Sequence, residues 1–187
     1  MKSRTAITSV LCTSTADLNW SAKTKEDRYT VFHVAAYDDR PDVYRHYFRT
    51  HPPDKRKALE AEENQKQGKP LEIAAASGKV GCLREMLVAG RGKYVQGLAA
   101  AHQAAATHHT YGLRMILDEG TSAYISRLYK CDNALHRALH SAVNWDRRSE
   151  EVMATVKLLL DFGVDPNARN HKKQTALHVL IESLQNR

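Results

Sequence analysis

Two stretches of this chain, CDNALHRALHSA (residues 131–142) and KQTALHVLIESL (residues 173–184), both place Ala-Leu-His at the start of an apolar run. In each stretch the apolar residues recur at helical spacing, which predicts an amphipathic helix. The two histidines, His136 and His178, lie 42 residues apart. Recurrence of one phrase at such a distance is typical of proteins built from structural repeats.

Weaker copies of the same phrase lie upstream. They are YTVFHVAAYDD around His33, GKPLEIAAASGK with Glu72 in the histidine position, and AAAHQAAATHH around His102. The five anchor residues are thus separated by steps of 39, 30, 34 and 42 positions. A second apolar phrase that ends in glycine follows three of the anchors, in VGCLREMLVAG, TYGLRMILDEG and MATVKLLLDFG. Because glycine commonly ends helices, the predicted unit is helix, short turn, helix, glycine and loop.

This pattern resembles the ankyrin repeat, whose period is about 33 residues with a Thr-Pro-Leu-His signature. The phrases TALHVL, NALHRAL, TVFHVAA and KPLEIAA occupy the signature position, and LLLDFGVDPNAR matches the family's leucine run, glycine and Asp-x-Asn turn. The sequence departs from the family at Glu72 and at Ala99 to Ala101, where the third copy lacks Thr-Pro-Leu. The resemblance covers most of the chain. It implies an all-α solenoid of paired antiparallel helices with projecting finger loops.

The repeats are placed within a single domain, 1–187. Its parts are a partial repeat at 5–28, repeats at 29–67, 68–96, 97–131 and 132–173, and a half repeat at 174–187, with turns near 19–28, 50–68, 90–97, 120–131 and 163–173. An insertion at 143–151 contains Trp145, which either packs on its own repeat or is an exposed anchor for a partner. Because the half repeat has no outer helix, we expect further repeats or domains of a longer parent chain.

The residues of the repeated phrase have separate physical roles. Thr30, Asn133 and Thr175 are predicted N-caps, and Pro70 suits a first helical position, where its missing N–H costs nothing. In the family, the histidine bonds neighbouring backbone and ties one repeat to the next. The leucines of the phrase are predicted to point into the stack: Leu71, Leu135 and Leu177. The small alanines of the phrase are predicted to allow close approach of neighbouring helices: Ala35, Ala36, Ala74, Ala75, Ala104 and Ala105.

Composition limits the class of protein. The chain has 187 residues, 42% of them hydrophobic, and no apolar run near the roughly 18 to 20 residues that a membrane span needs. Its three cysteines, Cys12, Cys82 and Cys131, are odd in number and form no Cys-x-x-Cys pair. This pattern indicates reduced, buried thiols in an intracellular protein, cytoplasmic or nuclear.

Sequence signatures of catalysis are missing. The chain has no Gly-x-Gly-x-x-Gly, Walker or Gly-x-Ser-x-Gly motif. His136 and His140 share a helix face, but no glutamate follows His136 as a His-Glu-x-x-His zinc site requires. We therefore expect no enzyme activity, no cofactor and no metal in this segment, which leaves open a catalytic domain elsewhere in a longer parent.

The chain is basic, with a formal net charge of +7, and its basic residues recur in the loops before the anchors: KTKEDR, KQGK, RGKY, RLYK and RNHKK. These loops either form a basic ridge for an acidic partner or only keep the surface soluble.

The resemblance implies recognition of another protein, with an acidic surface or as a peptide, through the fingers and the concave inner-helix face. The alternatives are binding of nucleic acid or anionic membrane through the basic fingers, and a rigid spacer that binds nothing itself. The partner-binding residues expected on the first hypothesis are Tyr37, Asp38, Ser77, Lys93, Tyr94, Gln103, Thr107, Tyr129, Lys130, Arg137, His140 and Lys172.

Overall fold

The computed structural model describes residues 20, 22–24, 28–52, 68–89, 94–121, 132–142 and 149–186. These residues form nine α-helices, and a single π-helical turn, Leu117–Thr121, follows the sixth. The helices are α1 (Val31–Asp38), α2 (Pro41–Thr50), α3 (Pro70–Ala76), α4 (Val80–Ala89), α5 (Tyr94–Ala106), α6 (Thr110–Ile116), α7 (Ala134–Ala142), α8 (Ser149–Asp161) and α9 (Ala176–Gln185). Within these ranges there is no β-strand, only an isolated antiparallel bridge between Lys23 and Thr30. The predicted all-α architecture is confirmed.

Short turns connect α1 to α2, α3 to α4 and α5 to α6 along the chain. The turns after α1, α3 and α5 each contain one residue with positive φ, at Asp39 (52°), Gly78 (65°) and His108 (58°). A left-handed residue at this position ends a helix and lets the chain reverse. After α1, the backbone N–H of Asp39 donates to the carbonyl of Ala35, which satisfies one of the terminal carbonyls.

The described residues group into two compact units, those within 1–74 and 79–90 and those within 75–78 and 91–187. In the first unit, α1, α2 and α4 pack together. Aromatic side chains fill this core, because Phe32, Tyr44 and Tyr47 are almost fully buried. The Tyr44 hydroxyl donates to the carbonyl oxygen of Phe32 at 2.6 Å, and Trp20 stacks on Phe32 with ring centroids 5.6 Å apart.

Cys82 of α4 contacts the turn after α1. Its backbone N–H donates to Asp39 Oδ1 at 3.1 Å, and its thiol donates to the carbonyl of Ala35 at 3.3 Å. Burial, followed by the nearby Asp39 carboxylate, raises the pKa of the Cys82 thiol far above its usual range. The prediction of a buried free thiol is confirmed for Cys82. Cys12 and Cys131 lie outside the described residues.

In the second unit, α5 packs against α6 and α7, and α7 packs against α8 and α9. Alanines make these approaches close: Ala100, Ala101, Ala104 and Ala105 of α5 have no exposed surface. Helix α5 begins at Tyr94, inside the range 90–97 where a turn was predicted and ahead of Gly97. The departure has a simple cause, since the alanine-rich segment is a strong helix former that extends through Gly97 toward its N-terminus.

The prediction that the leucines of the repeated phrase point into the stack has a different outcome at each position. Leu135 of α7 is 3% exposed, and Leu71 is half-buried. The prediction is wrong for Leu177, which is 62% exposed although it occupies the same place in its phrase. The reason is the packing: α7 contacts α5, α8 and α9, whereas among the described helices α9 packs mainly on α7. Ile181 and Leu184 on α9 are exposed as well.

Candidate partner-binding site

In two of the repeated phrases, the histidine at the third helical position bonds the loop that precedes the next repeat. In the first unit, the Nε2–H of His33 donates to the carbonyl of Gly68 at 3.0 Å, because a carbonyl only accepts. Nδ1 is then the acceptor for the Thr30 backbone N–H at 3.1 Å and for the Thr30 hydroxyl at 2.7 Å. Thr30 and His33 thus form a capping box in which histidine replaces the usual glutamate.

The second unit repeats this arrangement with a different cap. Asn133 Oδ1 accepts the His136 backbone N–H at 3.0 Å and lies 2.6 Å from the ring Nδ1. His136 Nε2 lies 2.9 Å from the carbonyl of Gln174. His178 forms the same box with Thr175, but its side chain is exposed. The predicted N-cap positions Thr30, Asn133 and Thr175 are confirmed. The bond between His136 and the carbonyl of Gln174 holds the loop before α9 against α7.

The loop before α9 is a tight finger, residues 170–174. The backbone N–H of Asn170 donates to the carbonyl of Gln174 at 2.9 Å, and Lys173 at the tip has a φ of 59°. Asn170 holds the loop from inside, since its Oδ1 accepts the backbone N–H groups of Lys172 and Gln174, each at 3.0 Å. The finger is therefore rigid at its base and presents exposed side chains, including Lys172 and Lys173.

A groove of about 340 Å³ lies between this finger and helices α7 and α9 of the second unit. We call it the finger groove; besides finger residues it is lined by Asp132, His140, Val179, Glu182, Ser183 and Asn186. Most of these side chains are polar, and Val179 provides an apolar contact. Its volume falls within the range of about 300 to 1,000 Å³ that is usual for ligand sites.

Side-chain hydrogen bonds fix the walls of the finger groove. On one side Asn170 Nδ2 donates to Asp132 Oδ1 at 3.0 Å, and Gln174 Nε2 donates to Glu182 Oε2 at 2.7 Å. On the other side His140 Nδ1 lies 3.0 Å from Ser183 Oγ, which joins α7 to α9. The polar groups are therefore held in place before any partner arrives.

The predicted partner-binding residues fall in separate places. His140 and Lys172 line the finger groove together. Tyr37 and Asp38 are exposed at the end of α1, Ser77 follows α3, and Gln103 and Thr107 are half-buried at the end of α5. The side chain of Tyr94, at the start of α5, and all of Lys93, Tyr129 and Lys130 lie outside the described residues, as does Trp145.

Arg137 on α7 is half-buried, and its Nε makes no hydrogen bond to the described residues. Thr107 is different, because its hydroxyl already donates to the carbonyl of Gln103 at 3.0 Å. Of the two, Arg137 has the greater unused hydrogen-bonding capacity.

Sequence reasoning missed the other eight residues that line the groove, among them Asp132, Asn170, Gln174 and Glu182. Asp132 and Glu182 lie 50 positions apart, so no local pattern connects them. Asn170 had a signal, since asparagine in a short polar loop commonly bonds backbone N–H groups nearby.

A serine and a histidine lie within hydrogen-bonding distance outside the groove, Ser141 Oγ and His108 Nε2 at 3.2 Å. This pair does not form an activated nucleophile. The Ser141 hydroxyl donates to the carbonyls of Arg137 and Ala138, both at 3.0 Å, and is therefore not available to a base. Burial, aided by nearby His109 and opposed by Glu151, lowers the pKa of His108. Across the described ranges, no group of three or more His, Cys, Asp or Glu side chains could hold a metal ion.

No helix in the described part of the chain is long and apolar enough to cross a membrane. Comparison with known proteins identifies the fold. The family model for the ankyrin repeat matches residues 133–171. Among solved structures, the chain is similar to the ankyrin repeat domain of Bcl-3, described as a unique member of the IkappaB protein family. The TM-score is 0.67 at 18% identity, over 97% of this chain and 78% of that one. Curated protein sequences give no match.

Proposed function

We propose that this chain, which has an ankyrin-repeat fold, binds a partner protein or peptide through the finger groove and the adjoining face of α7. Ankyrin repeats are in general protein–protein interaction modules. The proposal names a surface of the second unit, formed by the 170–174 finger and by inner-helix residues such as Arg137 and His140.

The finger groove is the observation on which the proposal depends. Its polar groups are ordered by internal hydrogen bonds, yet Lys172 and His140 remain exposed to solvent. A preformed surface of this kind loses little conformational entropy on binding. Lys172 at the finger supplies positive charge that steers an acidic partner segment toward the groove.

Kinetic measurement of variants tests the proposal. A partner is captured with the whole chain, and its association and dissociation are followed by surface plasmon resonance. We expect Lys172→Glu to lower the association rate, with an effect that shrinks as salt rises, because exposed rim charges act on encounter. Arg137→Ala should raise the dissociation rate by about tenfold or more, as truncation of an arginine anchor does.

Lys157→Glu is the matched control. Lys157 is exposed on α8 and does not line the finger groove, while its reversal changes the net charge by the same amount as Lys172→Glu. Equal losses in the two variants would show that only overall charge matters. A partner whose kinetics are unchanged by both Lys172→Glu and Arg137→Ala would place the binding surface elsewhere.

The exposed finger cations favour one alternative, binding of nucleic acid or anionic membrane. Arg169, Lys172 and Lys173 are all exposed within five consecutive residues. This hypothesis predicts that affinity for a duplex oligonucleotide or for phosphatidylserine vesicles falls steeply with salt, with a slope set by the number of phosphates contacted. A protein partner held by the finger groove has a weaker salt dependence, since part of its contact is uncharged.

A further inference from the structure

The finger groove has a negative lining in a basic protein. Its charged lining residues are two carboxylates, Asp132 and Glu182, and one ammonium, Lys172. The chain as a whole has a net charge of +7. The lining of the groove is therefore net negative although the chain is net positive, so a partner segment that Lys172 attracts through its acidic residues would need a cationic group inside the groove.

Each carboxylate is oriented by one internal donor and retains a second oxygen. Asp132 Oδ1 accepts from Asn170, and Glu182 Oε2 accepts from Gln174. In the part of the chain that the structure describes, no donor reaches Asp132 Oδ2 or Glu182 Oε1. Both residues line the groove, so the two oxygens are acceptors for a ligand there.

His140 contributes a third acceptor. The Ser183 hydroxyl donates to the carbonyl of Val179 at 2.8 Å, so its oxygen accepts the Nδ1–H of His140 at 3.0 Å. A neutral imidazole with its hydrogen on Nδ1 has a bare Nε2, which accepts hydrogen bonds. The residues that line the groove thus include three acceptors, Asp132 Oδ2, Glu182 Oε1 and His140 Nε2.

We infer that the finger groove binds an arginine side chain of the partner; this inference rests on the proposed function and names the chemistry that the site recognises. A guanidinium has five N–H donors in a fixed plane and no acceptor, which suits a set of separated acceptors. Its methylene stem packs on Val179, as long basic side chains do on apolar surface. Lysine is the poorer fit, because its compact ammonium has three donors and holds its water more strongly.

The finger determines which residues flank the arginine. Lys172 lines the groove, and Lys173 is exposed beside it at the finger tip. These cations repel further basic residues and attract carboxylates at the rim. The partner segment is therefore an arginine between acidic residues, a pattern that satisfies the basic finger and the negative groove together.

A pair of peptides tests the inference on the whole chain by two-dimensional ¹⁵N NMR. The first is acetyl-Gly-Glu-Arg-Glu-Gly-amide, and the second has citrulline in place of arginine, which keeps the shape but removes the charge. We expect the arginine peptide to shift the amide signals of Asn170, Glu182 and Ser183 in a saturable manner. The citrulline peptide should bind about fivefold more weakly, the upper range for an exposed ion pair.

Charge removal on the protein gives the second measurement. The double variant Asp132→Asn/Glu182→Gln keeps the oxygens that accept from Asn170 and Gln174, so the groove walls remain in place. It should lose the preference for arginine over citrulline. Asp161→Asn, on the exposed end of α8 outside the groove, should retain it.

Three results would overturn the inference: no saturable shift with millimolar arginine peptide, equal affinity for the citrulline peptide, or a double variant that still prefers arginine. Each leaves the proposed function standing if the captured partner still depends on Lys172 and Arg137. Conversely, if substitution of those two residues leaves the binding of the captured partner unchanged, the proposed function is contradicted even where the arginine peptide binds.

Discussion

Leu135 and Leu177 occupy the same place in two copies of one phrase, yet their burial differs, and this makes them a matched pair for a stability test. Leu135, on α7, is 3% exposed, whereas Leu177, on α9, is 62% exposed. Truncation of Leu135 to alanine removes three buried carbons, worth about 2.4 kcal/mol at about 0.8 kcal/mol each. The cavity that remains raises the expected cost to about 2.5 to 5 kcal/mol.

The same truncation at Leu177 removes mostly solvated surface. Its expected cost is under about 1 kcal/mol, since alanine also regains a few tenths through its higher helix propensity. Both variants are measured by urea unfolding at 25 °C, with circular dichroism to follow the helices. Equal costs at the two positions, or a cost below about 1 kcal/mol for Leu135→Ala, would refute the packing described for α7.

Three other variants test single features by the same unfolding measurement. Asn133→Ala should cost about 1 to 2 kcal/mol because it removes the N-cap of α7 and its bond to His136, and an unchanged midpoint would contradict that role. Gly78→Ala should cost more than Gly163→Ala: both glycines have positive φ, but a Cβ at Gly78 would lie 2.9 Å from His109 Nδ1, whereas one at Gly163 meets nothing within 4 Å. His108 has a lowered pKa, so below its ordinary value of 6.5 the unfolded chain binds more protons and stability falls as pH decreases. In the His108→Asn variant, whose asparagine tolerates the left-handed backbone, the free energy of unfolding should fall less as the pH decreases. A pH dependence with the same slope as that of the unmodified chain would refute this role of His108.

The fold could be predicted from the sequence because the contacts within the repeated phrase join residues close together in the chain. Thr30 and His33, or Asn133 and His136, lie three residues apart, and their bonds follow from the geometry of a first helical turn. The exposure of Leu177 could not be predicted, because an identical phrase does not say whether another element covers the residue. The start of α5 was also missed, since helix propensity extended the helix beyond the turn expected from the repeat.

Only part of the candidate site could be predicted from the sequence. His140 and Lys172 follow from the anchor position and from the basic loop, and both line the finger groove. The negative lining did not follow, because Asp132 and Glu182 come together only when the finger folds between them and bonds to both through Asn170 and Gln174. Net charge pointed to an acidic partner, whereas the groove itself has the opposite sign.

A footprint of the captured partner on the chain tests the central claim most directly. Amide hydrogen exchange is measured by mass spectrometry with and without the partner, over the described segments of the second unit. The account predicts slowed exchange in the 170–174 finger and in the facing turns of α7 and α9, with no change in α6 and α8. Protection of α6 and α8, with exchange at the finger unchanged, would contradict it.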